Sequence, residues 1–171
     1  MTQLLQWINS WPIIKNSPAS PLAWMALMRI MIGLMFLTTW GSNLSKGFYS
    51  PDGLEDFLRG QLNDDSLEMY RTFLEEVIIP AKAVFAPFQL LSEGLLGLAL
   101  LVGLFTRPMA IAGLFFIVNV FLLSIGTGEW PWSYFLVVGL LGGIFFSNAG
   151  RWLGADAWLV KRWGEPRWPL W

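Results

Sequence analysis

The chain has 171 residues, 55% of them hydrophobic and only 13% charged, with a net charge of -1. Soluble domains of this length usually carry nearly twice that charge fraction. There is no cysteine and no histidine, which excludes disulfides, thiolate zinc or iron–sulfur sites, imidazole haem ligation and a Ser-His-Asp triad within the chain.

Three long apolar runs and a fourth, interrupted one predict an all-α, polytopic membrane four-helix bundle. Residues 1–20 come first. Leu4, Trp7, Ile8 and Trp11 fall on one helical face. No basic n-region or cleavage site accompanies them, so they read as an interfacial segment rather than a signal peptide. The membrane domain, 21–149, opens at Pro21 with a span over about 21–46. Arg29 lies inside that span, roughly 12 Å past its start. Gly33, Phe36 and Trp40 share the face of Arg29, and Lys46 closes the helix.

Residues 47–83 form the large non-membrane segment, read as a helical cap. A short helix is expected within 52–57. A second is expected over 65–79, with Asp65 and Glu68 as a capping-box-like start and Pro80 as its stop. Between Lys46 and Lys82 there are four basic residues against eight acidic ones, which disfavours nucleic acid as a partner.

The second span, about 84–105, holds Glu93 roughly 13 Å from its start. Thr106, Arg107 and Pro108 make a turn. The third span, about 109–125, carries Asn119 as its buried polar residue. The fourth, about 132–148, begins near Tyr134 and contains Gly139 and Gly143 at Gly-xxx-Gly spacing. The tail, 150–171, combines five tryptophans with Arg151, Lys161, Arg162 and Arg167; this mixture fits an amphipathic segment on a lipid surface. Basic residues sit between spans two and three and after span four, whereas Glu129 alone occupies the loop between spans three and four. The positive-inside rule then places both termini in the cytoplasm and the loop 47–83 outside.

Arg29 enters from one side and Glu93 from the other, at similar estimated depth. An Arg29–Glu93 pair would spare either charge from standing alone in lipid. It reads either as a structural ion pair fixing helix register, or as the polar floor of an intramembrane site with Glu93 as a proton relay. Phe36, Trp40, Lys46, Asn119 and Tyr134 are the candidate substrate-binding residues around it, and no metal site is expected.

The run Leu27-x-Arg29-x3-Gly33-x2-Phe36-x9-Lys46 is one of three that carry a family resemblance. The others are Glu93-x3-Gly97-x-Ala99-Leu-x2-Gly103-Leu-x-Thr106-Arg107 and Asn148-Ala-Gly-Arg151-x3-Ala-Asp156. Together they resemble the DoxX/DoxD family of small four-span prokaryotic membrane proteins, over about 22–160. Arg29, Lys46, Glu93, Arg107, Arg151 and Asp156 match the family pattern. The resemblance implies a membrane subunit of a thiosulfate:quinone-type oxidoreductase in the inner membrane, with quinone as the redox carrier. It also implies lipid and a larger membrane complex as partners. Two alternatives stand beside it: a non-catalytic accessory or scaffold subunit that binds lipid, and a small transporter. The long acidic loop is an odd entrance for a thiosulfate dianion.

Overall fold

The computed structural model describes residues 20–166. The expected N-terminal interfacial segment and the last five residues of the tail lie outside the described residues. Among the described residues the secondary structure is entirely helical. The elements are α1 (Ser20–Ser45), α2 (Pro51–Gln61), α3 (Glu68–Phe73, continuing through a π-helical turn, Leu74–Ile78), α4 (Lys82–Val102), α5 (Thr106–Leu123) and α6 (Pro131–Ser147). A single 3-10 turn, Ala149–Arg151, then leads to α7 (Ala155–Trp163).

Helices α1, α4 and α5 are long and apolar enough to cross a membrane, and α6 is a shorter apolar helix. This is a membrane protein. Helix α1 packs on α4 and α6, and α5 packs on α6 and α4. Ile32, Phe36, Leu96, Leu100, Ile117, Leu141 and Ile144 form the buried centre between them. Their outward faces carry exposed Leu, Phe, Val and Trp, as lipid-facing helices do.

Close approach of α1 and α4 depends on glycine. A Cβ on Gly33 would lie 2.5 Å from the backbone nitrogen of Leu101, and one on Gly97 would lie 3.0 Å from that of Leu37. These contacts also set the antiparallel register, with residue 33 level with 101 and 37 level with 97. The two helices are therefore staggered. α1 overhangs α4 at the end bearing the α4–α5 turn, and α4 overhangs α1 at the end bearing the cap.

The cap has two helices on their own small core of Leu54, Leu58, Leu74, Ile78, Ile79, Ala86 and Leu123. Ser50 caps α2, accepting from the Gly53 amide, with Pro51 in the first turn. This helix is longer than the 52–57 expected, because its apolar positions Leu54 and Leu58 bury against α3 and α4. The second helix begins at Glu68, not Asp65. Asn63 Oδ1 instead accepts from the Asp65 amide at 2.9 Å, and this Asx turn uses the residues read as a capping box. Lys82 ties α2 to α4 through Asp52 at 2.8 Å and Glu55 at 2.6 Å. These partners hold the Glu55 carboxyl below its ordinary range, Lys82 first and Arg59 next.

Candidate functional site

The structure does not bring Arg29 and Glu93 together. By the α1–α4 register, Arg29 is level with Phe105 and Glu93 with Gly41, about 18 Å apart along the helix axes. The depth estimate from helix starts misses the stagger: the first turns of α1 lie beyond the end of α4. Each buried charge has its own surroundings.

Arg29 belongs to the turn end. Helix α4 ends where Gly103, at φ 71°, donates its amide to the Ala99 carbonyl, a left-handed helix termination. A Cβ there would collide with Arg29 Nη1, so glycine serves both the backbone angle and the space. Arg29 is fully buried. Its Nη2 donates to the carbonyls of Leu153 at 3.0 Å and Trp152 at 3.5 Å, while Nε and Nη1 have no hydrogen-bond partner. Asp156, from the first turn of α7, is the carboxylate that acts electrostatically on it. Asp156 accepts from the Phe105 amide at 2.7 Å and the Thr106 amide at 3.0 Å, and donates its own amide to the Gly103 carbonyl at 2.9 Å. It thus supplies the N-terminal cap of α5 from a distant segment. Phe105 and Leu153, both non-glycine residues at φ 49°, are the residues whose backbone groups Asp156 and Arg29 hold. Strained backbone persists where the surroundings over-determine it.

Glu93 belongs to the cap end. Its Oε2 accepts from the Tyr49 hydroxyl at 2.7 Å, and both residues are buried. Asn43 and Gln89 flank the carboxyl, yet Oε1 accepts no hydrogen bond. Trp40 lies one turn along. Its Nε1 donates to the Leu90 carbonyl at 2.9 Å, and its ring covers Gly94, where a Cβ would come within 3.0 Å. Burial and then the Glu93 carboxyl push the Tyr49 hydroxyl well above its ordinary range. Tyr49 sits in the turn between α1 and α2, fixed by the Ser50 amide to Gly47 carbonyl bond.

Of the other residues predicted to line a site, only Trp40 lies near Glu93. Phe36 is core, edge-on to Phe116. Lys46 is exposed at the end of α1. Asn119 accepts from the Tyr70 hydroxyl through its backbone carbonyl at 3.1 Å, and Tyr134 bonds Glu129 at the α5–α6 loop. A hollow of about 450 Å³ opens there between Phe121, Ser124, Ile125, Glu129 and Pro131, and Glu93 does not line it. Arg107 donates to the Phe145 carbonyl at 3.2 Å and faces its ring, and Arg151 grips Glu165 through two nitrogens at 2.8 and 2.7 Å. Sequence reasoning missed Tyr49 and Thr106 as site residues. A tyrosine two residues past a glycine in a short loop carries no periodic signal.

The family model described as TQO small subunit DoxD matches residues 24–170, a stretch that includes both buried polar clusters. The chain belongs to the DoxD family. No curated protein and no solved structure matches it. In this DoxD chain, Arg29, Gly103, Thr106, Arg151 and Asp156, drawn from separate motifs, meet at or beside the turn end. Glu93 stands apart from them.

Proposed function

We propose that this DoxD-family protein is a membrane subunit of a quinone-linked oxidoreductase complex, and that Glu93 with Tyr49 forms its quinone-headgroup site. The observation that carries the reading is Glu93 itself. It is a buried carboxyl in a candidate span, held at one oxygen by the Tyr49 hydroxyl and surrounded only by neutral polar groups, the side chains of Asn43 and Gln89. Half-buried Trp40 and Gln89 give an aromatic wall and an amide beside it. Such a group fits the hydroxyl or carbonyl of a reducible ring. Reduction of a quinone to quinol takes up two electrons and two protons. Glu93 gives its proton to one ring oxygen and regains it from water, the second proton reaches the other ring oxygen from water at the cap end, and the two electrons come from a partner subunit, since the chain has no thiolate or imidazole to hold a redox centre. The family description, a small subunit, supports the partner.

The Arg29 cluster supports a different role, as a clamp that seats α7 beneath the bundle. The orientation follows from its neighbours: Arg107, Arg151, Lys161 and Arg162 gather at the turn end, which we place on the cytoplasmic face of the inner membrane, with the cap outside. Exposed Trp158 and Trp163 beside Lys161 and Arg162 suit a lipid headgroup layer.

The test is quinone reduction by the isolated complex carrying Glu93→Gln. A proton-transfer role predicts a drop of about 100-fold or more, with assembly and subunit stoichiometry intact. Unchanged turnover would remove Glu93 from the chemistry and leave the accessory-subunit reading.

A further inference from the structure

The surroundings of Glu93 differ sharply along its helix. The polar groups that act on its carboxyl all come from the cap end: the Tyr49 hydroxyl at 2.7 Å, and the side chains of Asn43 and Gln89. None of them is charged, and Asn43 lies beside Tyr49 as well. The candidate span of α1 ends at Ser45, so Tyr49 stands beyond it, in the cap turn, while its hydroxyl touches a carboxyl within α4. Exposure rises in the same direction. Glu93 is 1% exposed and Tyr49 9%, whereas Gly47 and Ser50, on either side of Tyr49 in the turn, are exposed.

Towards the other end the route is apolar. From Gly94 to Gly103, α4 holds only glycine, alanine, valine and leucine, a stretch of about 13 Å. Phe36, Leu96, Leu100, Ile117, Leu141 and Ile144 fill the bundle around it. The next buried charge, Arg29, is held by the Leu153 carbonyl in the α7 clamp. Nothing along this stretch can carry a proton.

We propose that Tyr49 relays protons between cap-side water and Glu93, so that the site exchanges protons with that side of the membrane alone. The inference deepens the quinone reading and rests on it for the reaction served. In the relay, a proton from water bonds to the Tyr49 hydroxyl oxygen as the hydroxyl's own proton passes to Glu93 Oε2. One O–H bond forms and one breaks at Tyr49, the carboxylate gains one proton, and no electron moves. A hydroxyl suits the task because it both accepts and donates, whereas the amides of Asn43 and Gln89 keep their protons and orient the groups between them. Protons used at Glu93 then leave the pH of the opposite phase untouched.

The chain has no cysteine, so Met69→Cys, at a cap position 85% exposed, marks the cap side with a membrane-impermeant biotin-maleimide. Full chains in sealed lipid vesicles, with inner and outer pH set separately, are treated with dicyclohexylcarbodiimide, which enters from lipid and reacts with protonated carboxyls. Cap-out chains are captured by their biotin, and the Glu93 adduct is measured by mass spectrometry. In captured chains the adduct yield should rise at least about threefold per unit fall in outer pH; in uncaptured chains it should follow the inner pH. A yield that follows the opposite phase, both phases or neither would overturn the proposal, as would no adduct at all. In the isolated complex, Tyr49→Phe should lower quinone turnover about tenfold or more and raise its solvent deuterium isotope effect, with KM for quinone unchanged. A merely structural tyrosine would leave the isotope effect where it was, and that result takes Tyr49 out of the route. Unchanged turnover in Glu93→Gln sinks the quinone reading instead, while the adduct still reports the side from which Glu93 is protonated.

Discussion

Whether Arg29 answers to Asp156 or to Glu93 is measurable by double-mutant cycles. Asp156 accepts two backbone hydrogen bonds, at 2.7 and 3.0 Å. Bonds to a charged acceptor contribute about 1.5–3 kcal/mol each. Asp156→Asn keeps the shape but leaves one oxygen to accept, and it strips the negative charge from a fully buried guanidinium. Asp156 acts on Arg29 electrostatically rather than through a direct ion pair, so the lost charged-acceptor bonds set the scale and the expected destabilisation is about 1.5–3 kcal/mol. Arg29→Met should be smaller when Asp156 is already Asn, because the two share the Gly103 turn. The expected coupling between them is about 1–3 kcal/mol. The same cycle with Glu93→Gln should give a coupling below about 0.5 kcal/mol, since about 18 Å of helix separates the groups. Unfolding in detergent micelles, followed by tryptophan fluorescence, provides the free energies. A large Arg29–Glu93 coupling beside a negligible Arg29–Asp156 coupling would refute the register from which this is argued.

Glycine substitutions test the same register from the packing side. Gly33→Ala should destabilise by about 1–3 kcal/mol by forcing α1 off α4. Gly41→Ala, where nothing lies within 4 Å of the new methyl, should be neutral or stabilising by up to about 1 kcal/mol; thermal melts in one detergent compare them. The cap tyrosines predict an alkaline limb. Burial raises both Tyr49 and Tyr70 above the ordinary 10.0, with Glu93 adding to the shift at Tyr49. The unfolded chain therefore loses these protons first. Stability is full below about pH 10 and falls as pH rises from there toward the raised folded values. Tyr49→Phe should flatten that limb, read as melting temperature against pH; an unchanged limb would mean that Tyr49 is not held protonated by its site.

Several helix ends carry local signals in the sequence, although α2 and α3 begin or end elsewhere than expected. Pro21, Pro51 and Pro131 fall at helix starts, Gly103 and Asn148 at ends, and apolar runs of membrane length lie between them. The family pattern was also legible, since Arg29, Gly103, Thr106 and Asp156 stand in quoted motifs and meet in space. The partnership of Arg29 was not legible. It depends on how far α1 slides past α4, and that is set by Gly33 and Gly97 backing onto Leu101 and Leu37, a fact of packing rather than of distance from a helix start. Tyr49 was hidden for a related reason. Its hydroxyl reaches Glu93 from 44 positions away, across a chain reversal whose geometry no periodicity encodes.

Separating the two charges changes what each can do. A paired Arg29 would have given Glu93 a permanent cation and a structural explanation. Among the described residues Glu93 instead has the neutral Tyr49 hydroxyl on one oxygen and the side-chain amides of Asn43 and Gln89 beside the carboxyl, so its burial is explained less by helix register than by a ligand or a proton. That hydroxyl belongs to the cap. Tyr49 stands in the turn that enters α2, and α2 shares one apolar core with α3 through Leu54, Leu58, Leu74 and Ile78. The two cap helices and the residue that touches Glu93 are thus parts of one packed unit. Weakening that core, for example with Leu58→Ala at about 2–5 kcal/mol, should lower the melting temperature and quinone reduction together, whereas Glu93→Gln should lower reduction alone. Loss of both on the second substitution would mean that the carboxyl supports the cap rather than the chemistry.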